Sequence, residues 1–319
     1  MTRYEPGACP LGCGATAETL ADVEAVRAEV EALWAFHTRR LRPDTPPRHL
    51  LDRLAFTQKP PLGIARCGDC GTLFRSPAER DIDELYAAET VDDAALRALH
   101  DAQLDFYRDC AHRLTEAAEG TGAGLEVGSY VGAFLSAAHE AGWRFEGVDV
   151  NPVTNAFARR LGHTVHDGVI AAAPGTTYDA IAIWNCFEQL ADPRGTLVEA
   201  RARLRPGGIL VLRVPNGEFY AVLRARLHGS LGGAARALLA TNNLLGFPYR
   251  HGFDPTALGW LAVATGFAPE SVRGDSLVPT ADRWTRRWAA LEERVVKRLL
   301  RGIAGITTPP WFELWCRAV

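Results

Sequence analysis

Gly124-Leu125-Glu126-Val127-Gly128-Ser129-Tyr130-Val131-Gly132-Ala133-Phe134-Leu135 is the stretch whose reading decides the fold. Leu125 and Val127 suit a short buried strand, Gly128 and Gly132 open a tight turn, and residues 133–141 have helical composition. Strand, glycine turn and helix make the first half of a βαβ unit. The glycines let the backbone come close to a ligand, and the helix start leaves N–H groups unpaired. Seventeen residues after Gly132, Asp149 ends a second strand at 145–150. An acid there can accept both hydroxyls of a ribose. Loop and acid at this separation define a candidate nucleoside site.

Downstream, strands and helices alternate. Residues 164–168 read as the end of a third strand and 178–186 as a fourth, whose near-continuous apolar run suits a parallel strand covered on both faces. A helix at 197–204 stops at Pro206-Gly207-Gly208, and 209–214 is a fifth strand. The rhythm then breaks. Residues 218–240 read as helix and 242–253 as an aromatic, polar loop. A helix at 256–265, a strand at 270–277, a helix from about 280 to 303 and a last strand at 311–316 follow. Trp284, Trp288, Leu291, Val295 and Leu299, interspersed with Arg286, Arg287, Arg294, Lys297 and Arg298, make that long helix amphipathic. Core packing or a dimer face is expected to cover its stripe in preference to a membrane.

Upstream, the first eighty residues read as separate. Cys9 and Cys13, then Cys67 and Cys70, form two tight pairs on glycine turns, the second flanked by strand-like 63–66 and 72–75. Thiolates two or three residues apart on such a turn can face one metal, and two knuckles complete a closed, structural four-cysteine zinc site. Between the pairs, Leu20, Val23, Val26, Val30, Leu33, His37 and Leu41 recur at helical spacing until Pro43, Pro46 and Pro47. A capped short helix at 81–86 and a longer one at 92–119 join this module to the main domain. Tyr107 on the longer helix is within reach of the nucleoside pocket, although packing is its expected role.

The 319 residues are 47% apolar and 23% charged with a formal net charge of −3, a balance that argues against a general nucleic-acid binder. No apolar run is long enough to cross a bilayer, and the N-terminus lacks a secretory pattern. A soluble cytoplasmic protein is expected, its seven cysteines serving as ligands or core residues in preference to disulfides.

From about Gly120 to Val319 the chain resembles the class I S-adenosylmethionine-dependent methyltransferases. The resemblance rests on 125–132 as the glycine loop, Asp149, Asp167-Gly168, the segment 187–193 after the fourth strand, and 204–208 before the fifth. It implies an α/β, doubly wound, seven-stranded and mostly parallel Rossmann-like sheet with an antiparallel last strand. The domains expected are a zinc-ribbon-like module at 1–80, a helical linker at 81–119 and the methyltransferase domain at 120–319, with a substrate-side insertion at 217–253. By resemblance, Glu126, Gly128, Ser129, Tyr130 and Gly132 hold the methionine part of S-adenosylmethionine. Asp149 and Val150 hold its ribose, Asp167 and Gly168 its adenine, and Asn185 also faces the cofactor. Tyr130 departs from the glycine common in relatives, and Gln189 from a common histidine. The cysteine pairs resemble zinc modules attached to some methyltransferases, sugar C-methyltransferases among them.

The expected activity is methyl transfer to a small-molecule acceptor in specialised metabolism, by a monomer or homodimer without nucleic-acid or membrane partners. Alternatives are a nicotinamide-dependent oxidoreductase, which should show Gly-x-Gly-x-x-Gly; a non-catalytic zinc-containing scaffold; and a ribosomal-RNA methyltransferase. For catalysis the candidates are His251, set in Phe247-Pro248-Tyr249-Arg250-His251-Gly252-Phe253, with Glu188 and Tyr249. Histidine is the side chain best suited to take a proton near neutral pH.

Overall fold

The computed structural model describes residues 9–13, 16–45, 62–76, 92–175, 177–275, 284–292, 295, 297–303, 305 and 307–319. In the N-terminal part, β1 (Ala17–Ala21), α1 (Val23–Arg40), β2 (Gly63–Cys67) and β3 (Leu73–Ser76) precede the long α2 (Asp93–Ala118). The expected helix over Leu20 to Leu41 is therefore shorter. Asp22 caps it by accepting the Ala25 N–H at 2.8 Å, and residues before the cap pair with β2 as a strand. Pro46, Pro47 and the short helix expected at 81–86 lie outside the described residues.

The main sheet follows: β4 (Ala123–Val127), α3 (Ala133–Glu140), β5 (Arg144–Asp149), α4 (Pro152–Arg160), β6 (Val165–Asp167), β7 (Tyr178–Trp184), α5 (Pro193–Arg203) and β8 (Leu204–Pro215). After it come α6 (Gly217–Arg224), α7 (Gly232–Thr241), β9 (His251–Gly252), α8 (Pro255–Val263) and β10 (Phe267–Asp275). The chain closes with α9 (Arg287–Leu291), α10 (Lys297–Ile303) and β11 (Trp311–Ala318). Three of the helices start alike: Asn151, Asp192 and Asp254 cap α4, α5 and α8, each followed by a proline whose missing N–H costs nothing there.

Seven strands pair in the order β10-β11-β8-β7-β4-β5-β6, with β11 antiparallel to both neighbours and the other pairs parallel. This is the doubly wound sheet expected from the sequence. Alternation along β7 shows why its run is almost wholly apolar. Ile181 and Ile183 join the core layer shared with α5 and α8, while Ala180, Ala182 and Trp184 join the layer under α2, α3 and α4. Strand order reverses between β4 and β7, and the crevice beyond their C-terminal ends is where such folds bind ligands.

A second sheet, β1-β2-β3-β9, is antiparallel throughout. Its fourth strand comes from the insertion: Leu73 pairs with Gly252 and Phe74 with His251. A third core layer cements the same junction, packing Val26, Leu33 and Ile64 with Phe219, Tyr220 and Leu238. The insertion differs from the single helix expected over 218–240, because a turn at 225–231, with Gly229 in it, separates α6 from α7. Of the last long helix expected, α9 and α10 are among the described residues, and its expected start at 280–283 lies outside them. Most of its stripe is exposed: Trp288 is 42% exposed, Leu291 63%, Val295 45% and Leu299 60%, while Trp284 is half-buried. The segment packs inward through Ala289 and Leu300, a different face.

Candidate functional site

A cavity of about 700 Å³ opens at the C-terminal ends of β4, β5, β6 and β7, within the range of small-molecule sites. The glycine loop forms its floor. Gly128 and Gly132 have φ of 77° and 73°, a left-handed backbone that L side chains rarely adopt. A Cβ at Gly128 would also come within 2.6 Å of the Cys186 sulfur. Tyr130 shares the left-handed region at φ 45°, and this turn directs its N–H to Asp149 Oδ2 at 3.0 Å. The Asn151 N–H donates to Asp149 Oδ1 at 2.8 Å. Both carboxylate oxygens are thereby fixed.

Of the residues expected to hold cofactor, the structure brings Glu126, Gly128, Ser129, Tyr130, Asp149, Val150, Gly168 and Asn185 together in the lining. Gly132 is not in the lining and opens α3 directly behind the loop. Asp167 is also outside it: the carboxylate is exposed, pairs with Arg159 at 2.9 Å and accepts a hydrogen bond from Asn155 at 2.7 Å. At this strand end it is Gly168, with Val169 and Ile170 beside it, that lines the cavity.

The cavity is electrostatically one-sided. Among the described residues its lining holds Glu126, Asp149, Asp192 and Glu199 and no lysine, arginine or histidine. Burial, reinforced by Asp149, pushes the Glu126 carboxyl well above the usual range. Burial also raises Asp149, tempered by the backbone N–H groups of Asn151, Tyr130 and Val150. Glu126 Oε2 and Ser129 Oγ are buried without a hydrogen-bond partner among the described residues. A buried polar atom left unpaired is costly, so these atoms call for a hydrogen-bonding ligand.

Gln103 and Tyr107 of α2 complete the lining. Sequence gave Gln103 no signal, and Tyr107 read as packing. It does both, since its ring meets Phe134 and Trp184 while its hydroxyl accepts from Asn185 Nδ2 at 3.4 Å. Burial, then Glu126, raises the Tyr107 phenol, so it stays protonated. Asn185, at φ 55°, is held from behind by Arg213, whose Nη1 donates to Asn185 Oδ1 and whose Nε donates to Asp275 at 2.8 Å. The guanidinium lies between the Phe106 and Trp311 rings at 4.9 and 4.8 Å. An arginine in an apolar strand gave no hint of this in the sequence.

The expected catalytic groups are elsewhere. His251, Tyr249 and Glu188 are buried and not in the cavity lining. β9 pairing turns His251 toward the back of the wall, where its Nε2 donates to the Leu190 carbonyl at 3.1 Å. Burial, then Arg250, pushes His251 down to about 4. The Tyr249 phenol is raised by burial and by Glu188. Glu188 rises to about 7 through burial, and its carbonyl accepts the Arg250 N–H at 3.2 Å. Leu190 and Gln189 are the wall's cavity side. These groups stand behind the cavity wall.

The four cysteines expected as ligands come together. Cys9, Cys13, Cys67 and Cys70 place their sulfurs within 4.8 Å of one another. Cys13–Cys67, Cys9–Cys70 and Cys13–Cys70 are 3.2, 3.6 and 3.8 Å apart. A tetrahedral zinc with bonds of about 2.3 Å holds its sulfurs ~3.8 Å apart, so the donor set fits. The knuckles are closed by backbone bonds, Gly12 N–H to Cys9 O at 3.0 Å and Gly71 N–H to Cys67 O at 3.1 Å. Cys110 and Cys316 are buried far along the chain in α2 and β11.

A family model described as a methyltransferase domain matches residues 99–272, more than half of the chain. No curated protein matches the sequence significantly. Solved structures similar to it include an S-adenosylmethionine-dependent methyltransferase from Archaeoglobus fulgidus, at 17% identity over 67% of this chain and 93% of that one, TM-score 0.44. A second such methyltransferase, from Mesorhizobium loti, matches at 16% identity over 66% and 96%, TM-score 0.44. An amino pentose methyltransferase of calicheamicin biosynthesis from Micromonospora echinaspora matches at 16% over 71% and 96%, TM-score 0.43.

Proposed function

The chain belongs to this methyltransferase-domain family, within the class I S-adenosylmethionine-dependent fold, and we propose that it transfers the cofactor's methyl group to a small-molecule acceptor, with a structural zinc in its ribbon. The observation that carries the reading is the one-sided charge of the cavity. S-adenosylmethionine brings an ammonium and a sulfonium, whose methyl carbon is the electrophile. A pocket with Glu126 and Asp149 and, among the described residues, no basic side chain in its lining favours such a cation, which in turn draws the raised carboxyls toward the ionised form. The same pocket disfavours the diphosphate of a nicotinamide dinucleotide, which needs N–H donors and tolerates no buried carboxylate pair.

In this reading Glu126 and Ser129, with their unpartnered oxygens, receive the amino acid end of the cofactor. Asp149, fixed by Tyr130 and Asn151, accepts the ribose hydroxyls. Val150, Gly168, Val169 and Ile170 supply the adenine slot. Tyr107 and Asn185 orient the acceptor, Trp184 and Phe134 exclude water beside them, and Tyr107 serves as a hydrogen-bond donor because its phenol does not ionise near neutrality. His251 and Glu188 act through the wall they brace. The four thiolates hold zinc in a closed site, its role being to fold the ribbon.

Titration calorimetry with S-adenosylhomocysteine and, separately, with NAD and NADP tests this reading. S-adenosylhomocysteine should bind and the dinucleotides should not. Asp149→Ala should weaken it by about tenfold to a hundredfold, the worth of one charged hydrogen bond. Binding of NAD or NADP without S-adenosylhomocysteine binding would sink the proposal.

A further inference from the structure

We propose that the α9–α10 face is a docking surface for anionic lipid, a peripheral membrane contact separate from the cavity. Trp288, Leu291, Val295 and Leu299 recur at helical spacing and are all substantially exposed. They are not the packing face of this segment, which is already spent through Ala289 and Leu300. The stripe is therefore a second apolar face that nothing in the described chain covers.

Charge chooses the occupant. Residues 284–303 carry six basic side chains and two acids, a net of +4 in a chain whose total is −3. One of the acids, Glu292, is consumed by Arg39 at 2.8 Å and Arg40 at 2.9 Å. Arg39 also lies 5.4 Å over the Trp288 ring, adding a cation at the stripe's edge. Arg287 and Arg298 are exposed beside the stripe. A second copy of the chain is a poor occupant, because a two-fold contact would oppose this basic row to itself. Exposed tryptophan and aliphatic side chains at helical spacing, with exposed cations beside them, have the character of an interfacial segment. Its apolar line enters the acyl boundary while its cations meet headgroups. No described helix is long and apolar enough to cross a membrane, so the contact is superficial.

The test is co-sedimentation of the full chain with vesicles of phosphatidylcholine alone and with vesicles containing equal parts phosphatidylcholine and phosphatidylglycerol. The chain should pellet with the anionic vesicles only, and less as salt is raised. Leu291→Asp with Leu299→Asp should reduce partitioning on the order of tenfold or more, and Arg287→Glu with Arg298→Glu similarly. Both double variants should keep the wild-type affinity for S-adenosylhomocysteine, which shows that they fold. Wild-type protein that stays in solution with anionic vesicles overturns the proposal, as does an aspartate variant that pellets like wild type. A dimer in solution that the aspartate pair converts to monomer, without vesicle binding, assigns the stripe to self-association and also overturns it.

Discussion

Glu188 shows what burial does to a single side chain. It is 1% exposed, one of its oxygens lacks a partner among the described residues, and its carboxyl is raised to about 7. Between the ordinary 4.5 and about 7 the folded chain keeps a proton that the unfolded chain has lost. Stability from this group is therefore full below the lower value and is lost as pH rises through the upper one. Glu188→Gln stays neutral throughout. Its thermal midpoint should exceed that of wild type above pH 7 and converge with it near pH 4.5, a difference of about 3 kcal/mol at most. Parallel midpoint curves for the two proteins across that range would refute the assignment. Glu126 and Asp149 move in the same direction, but they are common to both proteins and cancel in the comparison. Burial also marks His251, whose place behind the cavity wall was not legible in the sequence. Its aromatic, polar surroundings were legible in the sequence, but the strand pairing with Phe74 that turns it behind the wall joins residues far apart in the chain. Asp149 and the glycine loop were legible because their chemistry is local: turn, strand end and helix start lie within 26 residues.

At the scale of elements, the ribbon is the least self-sufficient part. β1, β2 and β3 are five, five and four residues long, and two short knuckles must hold them. Strands of this length bury little apolar surface, so metal binding and folding should be one event. Elemental analysis of the untagged chain should find one zinc per molecule, and Cys67→Ser with Cys70→Ser should abolish it. Cys110→Ser should leave the metal content unchanged, and a zinc-free wild type would remove the ribbon's metal altogether. The strands and helices of the main sheet could be read in order because each carries its own periodicity and cap. β1 and β9 could not. Each is a short strand defined by a partner elsewhere, and neither five nor two residues hold enough pattern to declare a strand.

Across the whole molecule, the two sheets are mechanically in series. From the second cysteine knuckle the chain runs into β3, and β3 pairs with β9. Arg75 strengthens that seam, donating its guanidinium to the Tyr249 and Gly246 carbonyls and its N–H to the Arg250 carbonyl at 3.2 Å. β9 in turn bonds Leu190 through His251, and Leu190 lines the cavity. A metal that orders the knuckle therefore also orders one wall of the ligand site. Coupling through such a chain of bonds is typically 1–3 kcal/mol, so stripping zinc should weaken S-adenosylhomocysteine binding by about fivefold or more. Linkage makes the effect reciprocal: saturating S-adenosylhomocysteine should tighten zinc retention against a competing chelator by the same factor. His251→Ala, which cuts the last bond while leaving the cysteines intact, should bring both factors toward one. If the zinc-free chain remains folded in its main sheet by circular dichroism and binds S-adenosylhomocysteine with unchanged affinity, the ribbon and the cavity are neighbours without being coupled.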